Sequence, residues 1–583
     1  MQLSTIDWAI IAAFFLISLL IGLLTMRKAG SSAAEFFLSG RNMPWWLLGV
    51  SMVATTFSAD TPNLVADIVR QNGVSGNWVW WAFLLTGMLT VFVYARLWRR
   101  SKVLTDIEFY ELRYSGKEAA FLRGFRAIYL GVFFNVVIMA TVCLAAAKIG
   151  SVLLGIPPWK TLLLASIITV IYSTLGGLRG VLITDFVQFI FAMIGSIGAA
   201  IFVVNLPEIG GIDVLVATPA LQDKLSLIPD ISNGDLFIGI FIIPLAVQWW
   251  SVWYPGAEPG GGGYIAQRML SAKNENHAIG ATLFFNVAHY ALRPWPWIVI
   301  ALASLIIFPD LDSIQQAFPN VDASIIGHDL AYPAMLTYLP AGLLGLVVAS
   351  LMAAFMSTIS THLNWGASYV VNDFYLRFVN PAANDKQLVN VGRIATVLLM
   401  VLAAFGSFFI GSAKEGFNVL LQIGAGPGLI FILRWFWWRI NAYTEIAGMV
   451  ISFIYAITIL ILKPDWPQWV TLVTGVGITT VGWLVVTFMT PPTNEETLRS
   501  FASLIRPSGK KWKELANIET VKGDGSLPLQ ILSMMLGTGF VYALLFAIGK
   551  LIYNQIGEAC LIFGVAAILG LSLLTIWRRL KRA

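Results

Sequence analysis

The chain contains one apolar segment after another, each about 20 residues long, and this pattern limits the folds that are open to it. A helix of that length and composition is what crosses a lipid bilayer. Of the 583 residues, 58% are hydrophobic and 12% are charged, which is about half the charged fraction of a soluble protein. The apolar segments are continuous rather than alternating, so a membrane β-barrel is excluded. We therefore expect an all-α polytopic membrane protein.

Hydropathy predicts about 15 transmembrane spans. The first apolar segment has no basic residues before it, so we interpret it as a retained span rather than a signal peptide. The predicted spans are 6–26, 45–69, 78–98, 124–147, 158–178, 182–204, 236–254, 279–307, 340–371, 389–411, 417–437, 443–462, 469–490, 530–552 and 557–577. An odd number of spans puts the two termini on opposite sides of the membrane.

The basic residues predict the orientation of these spans. With the N-terminus outside, 29 of the 37 Lys and Arg residues fall in inside segments and 7 in outside segments, while Arg293 lies within a span. Cytoplasmic loops of membrane proteins carry such an excess of positive charge. We therefore expect a protein of the plasma (inner) membrane with a cytoplasmic C-terminus. The net charge of +6 needs no nucleic-acid partner to explain it.

Two of the spans are interrupted. Span 2 contains VATTFSADTPN, where the proline removes the donor for the carbonyl four residues back, that of Ser58. Thr61 is the predicted N-cap of a second half-helix that begins at Pro62. Span 7 ends in QWWSVWYPGAEPGGGGYIAQR at 248–268, whose prolines and glycines cannot continue a helix. Alternatively, Pro62 is one of many kinking prolines, and the Gly/Pro cluster is an ordinary cytoplasmic loop.

The pairing of the two breaks favours a transporter built from inverted repeats. Irregular backbone at membrane depth persists only where it is buried in protein or lines a cavity, and paired broken helices mark the binding site of such transporters. Spans 2 and 7 each begin a set of five, and because five is odd, the second set is inverted. The predicted units are 1–44 with an extra N-terminal span, 45–235 and 236–440 with the two five-helix repeats, 441–490 with two peripheral spans, 491–529 as a cytoplasmic amphipathic segment, and 530–583 with two C-terminal spans.

The cytoplasmic segment 491–529 has one local signal of structure. Thr493 and Glu496 have the spacing of a capping box, which predicts that a short interfacial helix begins there.

Span 9 carries a cluster of hydroxyl groups in apolar surroundings. In AAFMSTISTHLN, residues 353–364, the side chains of Ser357, Ser360 and Thr361 share one helix face, and Thr358 lies beside it. Hard cations prefer oxygen ligands. Unwound carbonyls of span 2 together with two hydroxyls of span 9 therefore predict a cage for a sodium ion. The alternative is that these hydroxyls bond back to their own helix or join neighbouring helices.

Four stretches resemble the sodium:solute symporter family, and they occur in the family's order within about residues 1–490. They are EFFLSGRNMPWWLLGVSMVA at 35–54, YSTLGGLRGVLITDFVQ at 172–188, YIAQRMLSAKN at 264–274, and the span 9 stretch. The resemblance implies a LeuT-type fold, in which two inverted five-helix repeats follow one extra N-terminal helix. The additional C-terminal helices lie outside the part that can be matched.

The resemblance also implies sodium ligands. These are the backbone carbonyls of Ala54, Phe57 and Ala354 and the hydroxyls of Ser357 and Thr358. Some members hold a second sodium, and the residues that match its ligands are Asp185, Ser357, Ser360 and Thr361. The alternative for Asp185 is a carboxylate at the cytoplasmic interface.

The substrate does not carry over from the family. Thr56 stands where proline-transporting members have an acidic residue and sugar-transporting members have an asparagine, and Thr61 stands where sugar transporters have a glutamine. Aromatic side chains with a few polar groups suit a small polar organic solute. The pocket candidates are Thr56, Asp60, Thr61, Trp80, Trp81, Gln248, Trp249, Trp250, Trp253, Tyr254 and Gln422. The alternative for the tryptophans is a belt at the membrane interface.

Two charged residues within spans are functional candidates. Asp60 is expected to contact an amine or hydroxyl of the solute and Arg293 a carboxylate, unless the two form a structural ion pair. His289 and His362 are interpreted as packing residues. Cys143 and Cys560 lie far apart and indicate neither a disulfide nor a transition-metal site.

Together these patterns predict a secondary active transporter, not an enzyme, that couples inward sodium flow to the uptake of a small polar organic solute. Its expected partners are the solute, the sodium ion and membrane lipid. A proton-coupled or sodium-independent transporter of the same fold and a transporter-like sensor remain as alternatives.

Overall fold

A computed structural model describes residues 3–29, 32–251, 258–321, 325–410, 426–516 and 527–582. Within these ranges the chain is helical and has no β-strand, although one isolated bridge pairs Met43 with Ala272. The described residues include 11 helical stretches that are long and apolar enough to cross a membrane. Three shorter apolar helices accompany them, at Trp45–Thr56, Pro158–Ile171 and Gly234–Ala246. The expectation of an all-helical polytopic membrane protein is therefore confirmed.

The helices of the first half are numbered in chain order, and π-helical turns join α6 to α7 and α9 to α10 at Thr90–Tyr94 and Tyr129–Phe134. They are α1 Thr5–Ala29, α2 Ala33–Leu38, α3 Trp45–Thr56, α4 Asp60–Asn72, α5 Trp78–Trp81, α6 Leu84–Leu89, α7 Ala95–Ser101, α8 Phe109–Arg113, α9 Gly116–Ile128, α10 Asn135–Ile149, α11 Pro158–Val204 and α12 Ile212–Ala217. The 47 residues of α11 are two helices that meet at Gly177, whose positive φ of 53° favours glycine.

The second half continues with α13 to α28. A π-helical turn at Ile238–Ile242 joins α13 to α14, another at Ala288–Leu292 joins α16 to α17, and one at Tyr369–Val379 extends α20. The helices are α13 Gly234–Phe237, α14 Ile243–Ala246, α15 Gly263–Ser271, α16 Glu275–Val287, α17 Trp295–Ile307, α18 Leu311–Ala317, α19 Ala331–Leu336, α20 Leu343–Ser368, α21 Asp385–Gly406, α22 Gly428–Leu433, α23 Ala442–Leu462, α24 Gln468–Met489, α25 Glu495–Ile505, α26 Lys510–Ala516, α27 Leu527–Ile552 and α28 Ile556–Arg582.

Span 2 is broken, but its second half begins earlier than the proline predicts. The helix α3 ends at Thr56 and α4 begins at Asp60 rather than at Pro62. The N-cap residue is Ala59 rather than Thr61. The carbonyl of Ser58 is not left without a donor, because the backbone N–H of Thr61 donates to it at 3.1 Å. A proline in the first turn of a helix removes no hydrogen bond that the turn requires, which allows α4 to start before it.

Two further expectations about local structure have outcomes of their own. The cytoplasmic helix α25 begins at Glu495, and its N-cap is Asn494, whose side chain accepts from the N–H of Thr497. The predicted helix forms, but the expected N-cap, Thr493, is wrong by one residue, because the neighbouring asparagine supplies the capping oxygen. The first part of the predicted span 417–437, up to residue 425, lies outside the described residues, and α22 forms in its described part.

The broken span lies at the centre of the bundle. Helix α3 packs against α16, α11 and α20, and α4 packs against α17. Helix α20 in turn packs along α11, α10 and α1. The backbone N–H groups of Gly342 and Gly345, at the start of α20, each donate to the carboxylate of Asp7 in α1 at 2.7 Å. An acidic group there stabilises the positive end of the helix dipole, so α1 holds α20 in place.

Candidate functional site

The break in span 2 exposes backbone oxygen atoms at the centre of the bundle. Phe57 leaves the helical conformation with φ −85° and ψ 79°, and its N–H donates back to the carbonyls of Val53 and Ala54. Within the described ranges, no hydrogen bond reaches the carbonyl of Phe57 itself. The hydroxyl of Thr61 crosses the break, donating to the carbonyl of Thr56 at 3.3 Å. Both Ala54 and Phe57 are buried.

The hydroxyls of α20 face this break and its surroundings. Ser357, Thr358, Ser360 and Thr361 are all buried, with at most 1% of each residue exposed. The hydroxyl of Thr358 donates to the carbonyl of Thr55 at 2.8 Å, so it lies against the last turn of α3. The cluster is therefore turned towards the broken helix and away from lipid.

The four hydroxyls have different partners. The hydroxyl of Ser357 donates to a carboxylate oxygen of Asp185 in α11 at 2.7 Å. The hydroxyl of Ser360 donates to the carbonyl of Ser357 in its own helix at 3.1 Å, which is the helix-bonding alternative. The hydroxyl of Thr361 lies 3.2 Å from that of Thr55. The structure thus brings Ser357 and Thr358 to neighbouring elements, while the hydroxyl of Ser360 bonds within α20.

A buried arginine lies beside this cluster. The guanidinium of Arg268, in α15 after the break in span 7, donates from Nη2 to Thr361 at 2.8 Å and to Ser51 of α3 at 3.2 Å. Its Nη2 atom lies 3.7 Å from the carboxylate of Asp185, and the side chains of both residues have no exposed surface. The hydroxyl of Ser51 donates to the same carboxylate at 2.5 Å. Asp185 is therefore a buried partner of Arg268 rather than an interfacial carboxylate.

Arg268 and Ser51 were not among the site residues expected from the sequence. Arg268 lies inside the matched stretch YIAQRMLSAKN, but there it counts only as one more inside basic residue. One sequence feature could have identified Arg268 as a site residue. It is an arginine in a short amphipathic segment that directly follows a glycine cluster. Arg268 and Asp185 together form contacts that connect α3, α11, α15 and α20 at one point.

A second polar cluster lies at the other side of the last turn of α3. The hydroxyl of Thr56 lies 3.0 Å from Nδ1 of His289 and accepts from Nη1 of Arg293 at 3.0 Å. The same Nη1 atom donates to the carbonyl of Val53 at 3.2 Å. Thr56, His289 and Arg293 are all buried. His289 packs against aromatic rings as expected, and its ring also makes a polar contact at the break that the sequence did not predict.

Aromatic rings surround this second cluster. The ring of Trp80 meets that of His289 edge to face at 5.7 Å and stacks on Tyr290 at 5.9 Å. The guanidinium carbon of Arg293 lies 5.2 Å from the centre of the Trp297 ring, a cation–π distance. Trp80 and Trp81 are buried, so they do not form a belt at the membrane interface.

Asp60 begins α4 on the far side of the break and is half-buried. Its carboxylate interacts electrostatically with Ser58 and Arg293, yet its Oδ1 atom has no hydrogen-bond partner among the described residues. Among the described residues, no guanidinium nitrogen of Arg293 lies within 4.0 Å of a carboxylate oxygen of Asp60. The alternative to solute contact, a structural ion pair between Asp60 and Arg293, is therefore not formed in this conformation.

Of the remaining pocket candidates, the structure describes Gln248, Trp249 and Trp250, which are consecutive in the chain. Gln248 donates to the carbonyl of Val79 at 2.6 Å and lines a cavity of about 480 Å³. The carbonyl of Trp249 accepts from Thr86, and the Trp250 side chain is half-buried. Trp253, Tyr254 and Gln422 lie outside the described residues.

A small cavity lies between α6, α15 and α16. A cavity of about 30 Å³ is lined by Tyr264, Tyr290, Asn286 and Thr86 among others. A pocket for a small organic ligand usually has at least about 300 Å³, whereas this cavity has room for about one or two water molecules. Entry of a solute here therefore requires the surrounding helices to separate.

The sequence of the chain is similar to those of known proteins. The family model "Sodium:solute symporter family" matches residues 36–452. The sodium/glucose cotransporter of Vibrio parahaemolyticus is 27% identical over 487 residues, covering 80% of this chain and 87% of that protein. Sodium/myo-inositol cotransporter 2 of Oryctolagus cuniculus is 25% identical over 493 residues, covering 78% of this chain and 70% of that protein.

A solved structure has a similar fold. It is a Na⁺-coupled sialic acid symporter in a substrate-bound outward-open state, with a TM-score of 0.66 and 20% sequence identity. The alignment covers 84% of this chain and 99% of the other.

Proposed function

Because the chain belongs to the sodium:solute symporter family, we propose that it holds its coupling sodium ion where the break in span 2 meets the hydroxyls of α20. The protein is a sodium-coupled solute transporter of the membrane and not an enzyme. The observation that carries the proposal is the 2.8 Å contact between the Thr358 hydroxyl and the Thr55 carbonyl. This contact places a buried α20 oxygen at the last turn of α3, where the candidate ligands Ala54 and Phe57 lie.

The proposed ligands are the carbonyls of Ala54, Phe57 and Ala354 and the hydroxyls of Ser357 and Thr358. Three features support this set. All five residues are buried, the carbonyl of Phe57 has no other partner among the described residues, and all the ligand atoms are oxygens, which hard cations prefer and which can be neutral for a monovalent ion. Both hydroxyls now donate hydrogen bonds, but each oxygen also has lone pairs. Each hydroxyl can therefore rotate and coordinate the sodium ion through its oxygen.

A second sodium at Asp185, Ser357, Ser360 and Thr361 is a separate proposal. Asp185 supports it, because a buried carboxylate attracts a cation. The guanidinium of Arg268 lies 3.7 Å from that carboxylate and supplies positive charge at the same position, so the second ion has to share Asp185 with it. Asp185→Asn is expected to lower the number of sodium ions moved per solute, and an unchanged ratio would remove the second site.

The proposed architecture has 15 spans in the units predicted from the sequence, with inverted five-helix repeats at 45–235 and 236–440. The N-terminus lies outside and the C-terminus in the cytoplasm. The 11 long helices and three shorter apolar helices support this count, because they correspond to every predicted span except 417–437. The interruptions at the first helix of each repeat support the inverted layout.

In the proposed cycle, sodium binding between α3 and α20 stabilises the state that accepts solute from outside. The solute binds between the breaks of spans 2 and 7, and rocking of the repeats then opens the site to the cytoplasm. A potential of about 100 mV contributes roughly 2.3 kcal/mol for each sodium that enters, and a tenfold gradient adds about 1.4 kcal/mol. Together they support accumulation of a neutral solute by several hundred-fold per sodium.

The test is solute uptake into proteoliposomes with sodium replaced by potassium or choline, which is expected to abolish uptake. Ser357→Ala combined with Thr358→Ala is expected to raise the sodium concentration for half-maximal uptake. Ser350→Ala is the matched control, because Ser350 is a buried residue of α20 outside both proposed sodium sites, and its hydroxyl donates to the carbonyl of Val347 in its own helix at 2.8 Å. An unchanged sodium dependence in the double variant would refute the site.

A further inference from the structure

Arg293 is a charged residue held at the break in span 2 by the backbone of α3. It follows the π-helical turn Ala288–Leu292 and is 1% exposed. Its Nη1 atom donates to Val53 and Thr56, at the C-terminal end of α3, where the helix dipole is negative. Its Nε atom has no hydrogen-bond partner among the described residues. The guanidinium therefore has a donor left over at the point where the solute is proposed to bind.

Arg293 lacks the close carboxylate partner that three other buried cations have. Lys148 lies 2.7 Å from a carboxylate, Arg434 lies 3.3 Å from one, and Arg268 lies 3.7 Å from one. For Arg293, no carboxylate of the described chain lies within 4.0 Å, and Asp60 acts on it only from a greater distance. An ionised residue at membrane depth normally has a paired charge or a ligand.

We infer that the transported solute carries a carboxylate, and that Arg293 and Thr56 bind this group. This inference rests on the proposed function, since it names the solute class for the same central site. A carboxylate accepts from a guanidinium in planar, charge-assisted hydrogen bonds, and it supplies the negative charge that Arg293 lacks. The rings of Trp80 and Trp297 around the cluster form an apolar wall that strengthens this recognition by excluding water.

Asp60 extends the inference to the group beside the carboxylate. Its Oδ1 atom is a buried acceptor without a hydrogen bond in the described chain, and it lies across the break from Arg293. A hydroxyl or ammonium group next to the solute's carboxylate would donate to it. The site therefore takes a small hydroxy acid or amino acid, with the acidic end at Arg293 and the donor end at Asp60.

The first experiment uses the purified full-length protein and pairs of probes that differ only by a carboxylate in place of a CH₂OH group. The pairs are D-glucuronate with D-glucose, L-lactate with 1,2-propanediol, and L-alanine with alaninol. Binding is measured in sodium buffer from the shift of the thermal unfolding midpoint with probe concentration. In at least one pair, the carboxylate is expected to bind at least about tenfold more tightly, as for a hydrogen bond to a charged group. Equal or tighter binding of every alcohol, or no binding of any carboxylate, would overturn the inference.

The second experiment assigns the preference to Arg293. Arg293→Met is expected to reduce the carboxylate preference to below about threefold, and Arg293→Lys to an intermediate value. The control is Arg70→Met. Arg70 is also a buried arginine without a carboxylate within 4.0 Å in the described chain, but its three nitrogen atoms donate to His328, Ser304 and the carbonyl of Phe308. This control is expected to lower stability and to leave the preference unchanged.

The possible outcomes separate the inference from the proposed function. A carboxylate preference that survives Arg293→Met would overturn the role of Arg293. If that variant does not fold, the wild-type preference and the Arg293→Lys value decide the question. Sodium alone is expected to raise the unfolding midpoint of the wild type and of Arg293→Lys. If sodium alone does not raise the unfolding midpoint of the wild type, this result counts against the proposed function, whether or not the protein prefers carboxylates.

Discussion

The buried pair of Asp185 and Arg268 gives the most quantitative prediction. Opposite charges 3.7 Å apart attract by about 4 kcal/mol at an effective dielectric constant near 20. Removing one charge of a buried pair leaves the other uncompensated and usually costs about 3–5 kcal/mol. Arg268 keeps its hydroxyl acceptors Ser51 and Thr361, so the lower end of this range applies. We expect Asp185→Asn and Arg268→Met each to lower the free energy of unfolding by about 3 kcal/mol.

The double variant is expected to recover part of this loss. With both charges removed, neither side chain is left buried and uncompensated, so the double variant should be less destabilised than the sum of the two single variants. We expect a coupling free energy of about 2–4 kcal/mol. The assay is an SDS titration of the purified protein in mixed micelles, followed by tryptophan fluorescence, for the wild type and the three variants.

The control for this cycle is the salt bridge between Arg499 and Glu495 on α25, where both side chains are more than half exposed. Its coupling is expected to stay below about 0.5 kcal/mol. If the Asp185 and Arg268 effects add without coupling, or if Asp185→Asn unfolds at a higher SDS content than the wild type, the two groups do not act as a pair.

Two further predictions concern α20. Thr358→Val keeps the shape of the side chain but removes its oxygen, so it is expected to raise the sodium concentration for half-maximal uptake by at least about tenfold. Ser350→Ala removes a buried α20 hydroxyl that bonds only within its own helix, and it should change this concentration by less than about threefold. Equal effects of the two variants would contradict the assignment of Thr358. Gly345→Ala places a methyl carbon 2.4 Å from Cα of Asp7 and is expected to separate α1 from α20, lowering the free energy of unfolding by about 1–3 kcal/mol. An unchanged unfolding midpoint of Gly345→Ala would show that α1 does not hold α20.

The helices and their interruptions were accessible from the sequence because they depend on local properties. Apolar length identifies a span, and a proline or a glycine cluster identifies a break. The hydroxyl stripe of span 9 was visible for the same reason, since residues three and four apart share a helix face. The start of α4 was misplaced because a proline is compatible with several positions in the first turn.

The contacts between distant spans could not be read in this way. Thr56 and His289 are 233 residues apart, and Arg268 is 217 residues from Ser51. Nothing in the neighbourhood of His289 distinguishes it from a packing histidine, because its polar partner belongs to another helix. The sequence also could not show whether Trp80 and Trp81 form an interfacial belt or pack inside the bundle, because both arrangements use aromatic residues. Their burial in the structure shows that they pack inside it.

The central claim is that sodium binds between the break in span 2 and the hydroxyls of α20, and direct binding of ²²Na⁺ to the purified protein tests it. The account predicts saturable binding by the wild type that unlabelled sodium displaces and potassium does not. In the protein with Ser357→Ala and Thr358→Ala, the affinity is expected to fall at least about tenfold. If the double variant binds ²²Na⁺ as tightly as the wild type, the ion does not bind at these hydroxyls and the account is contradicted.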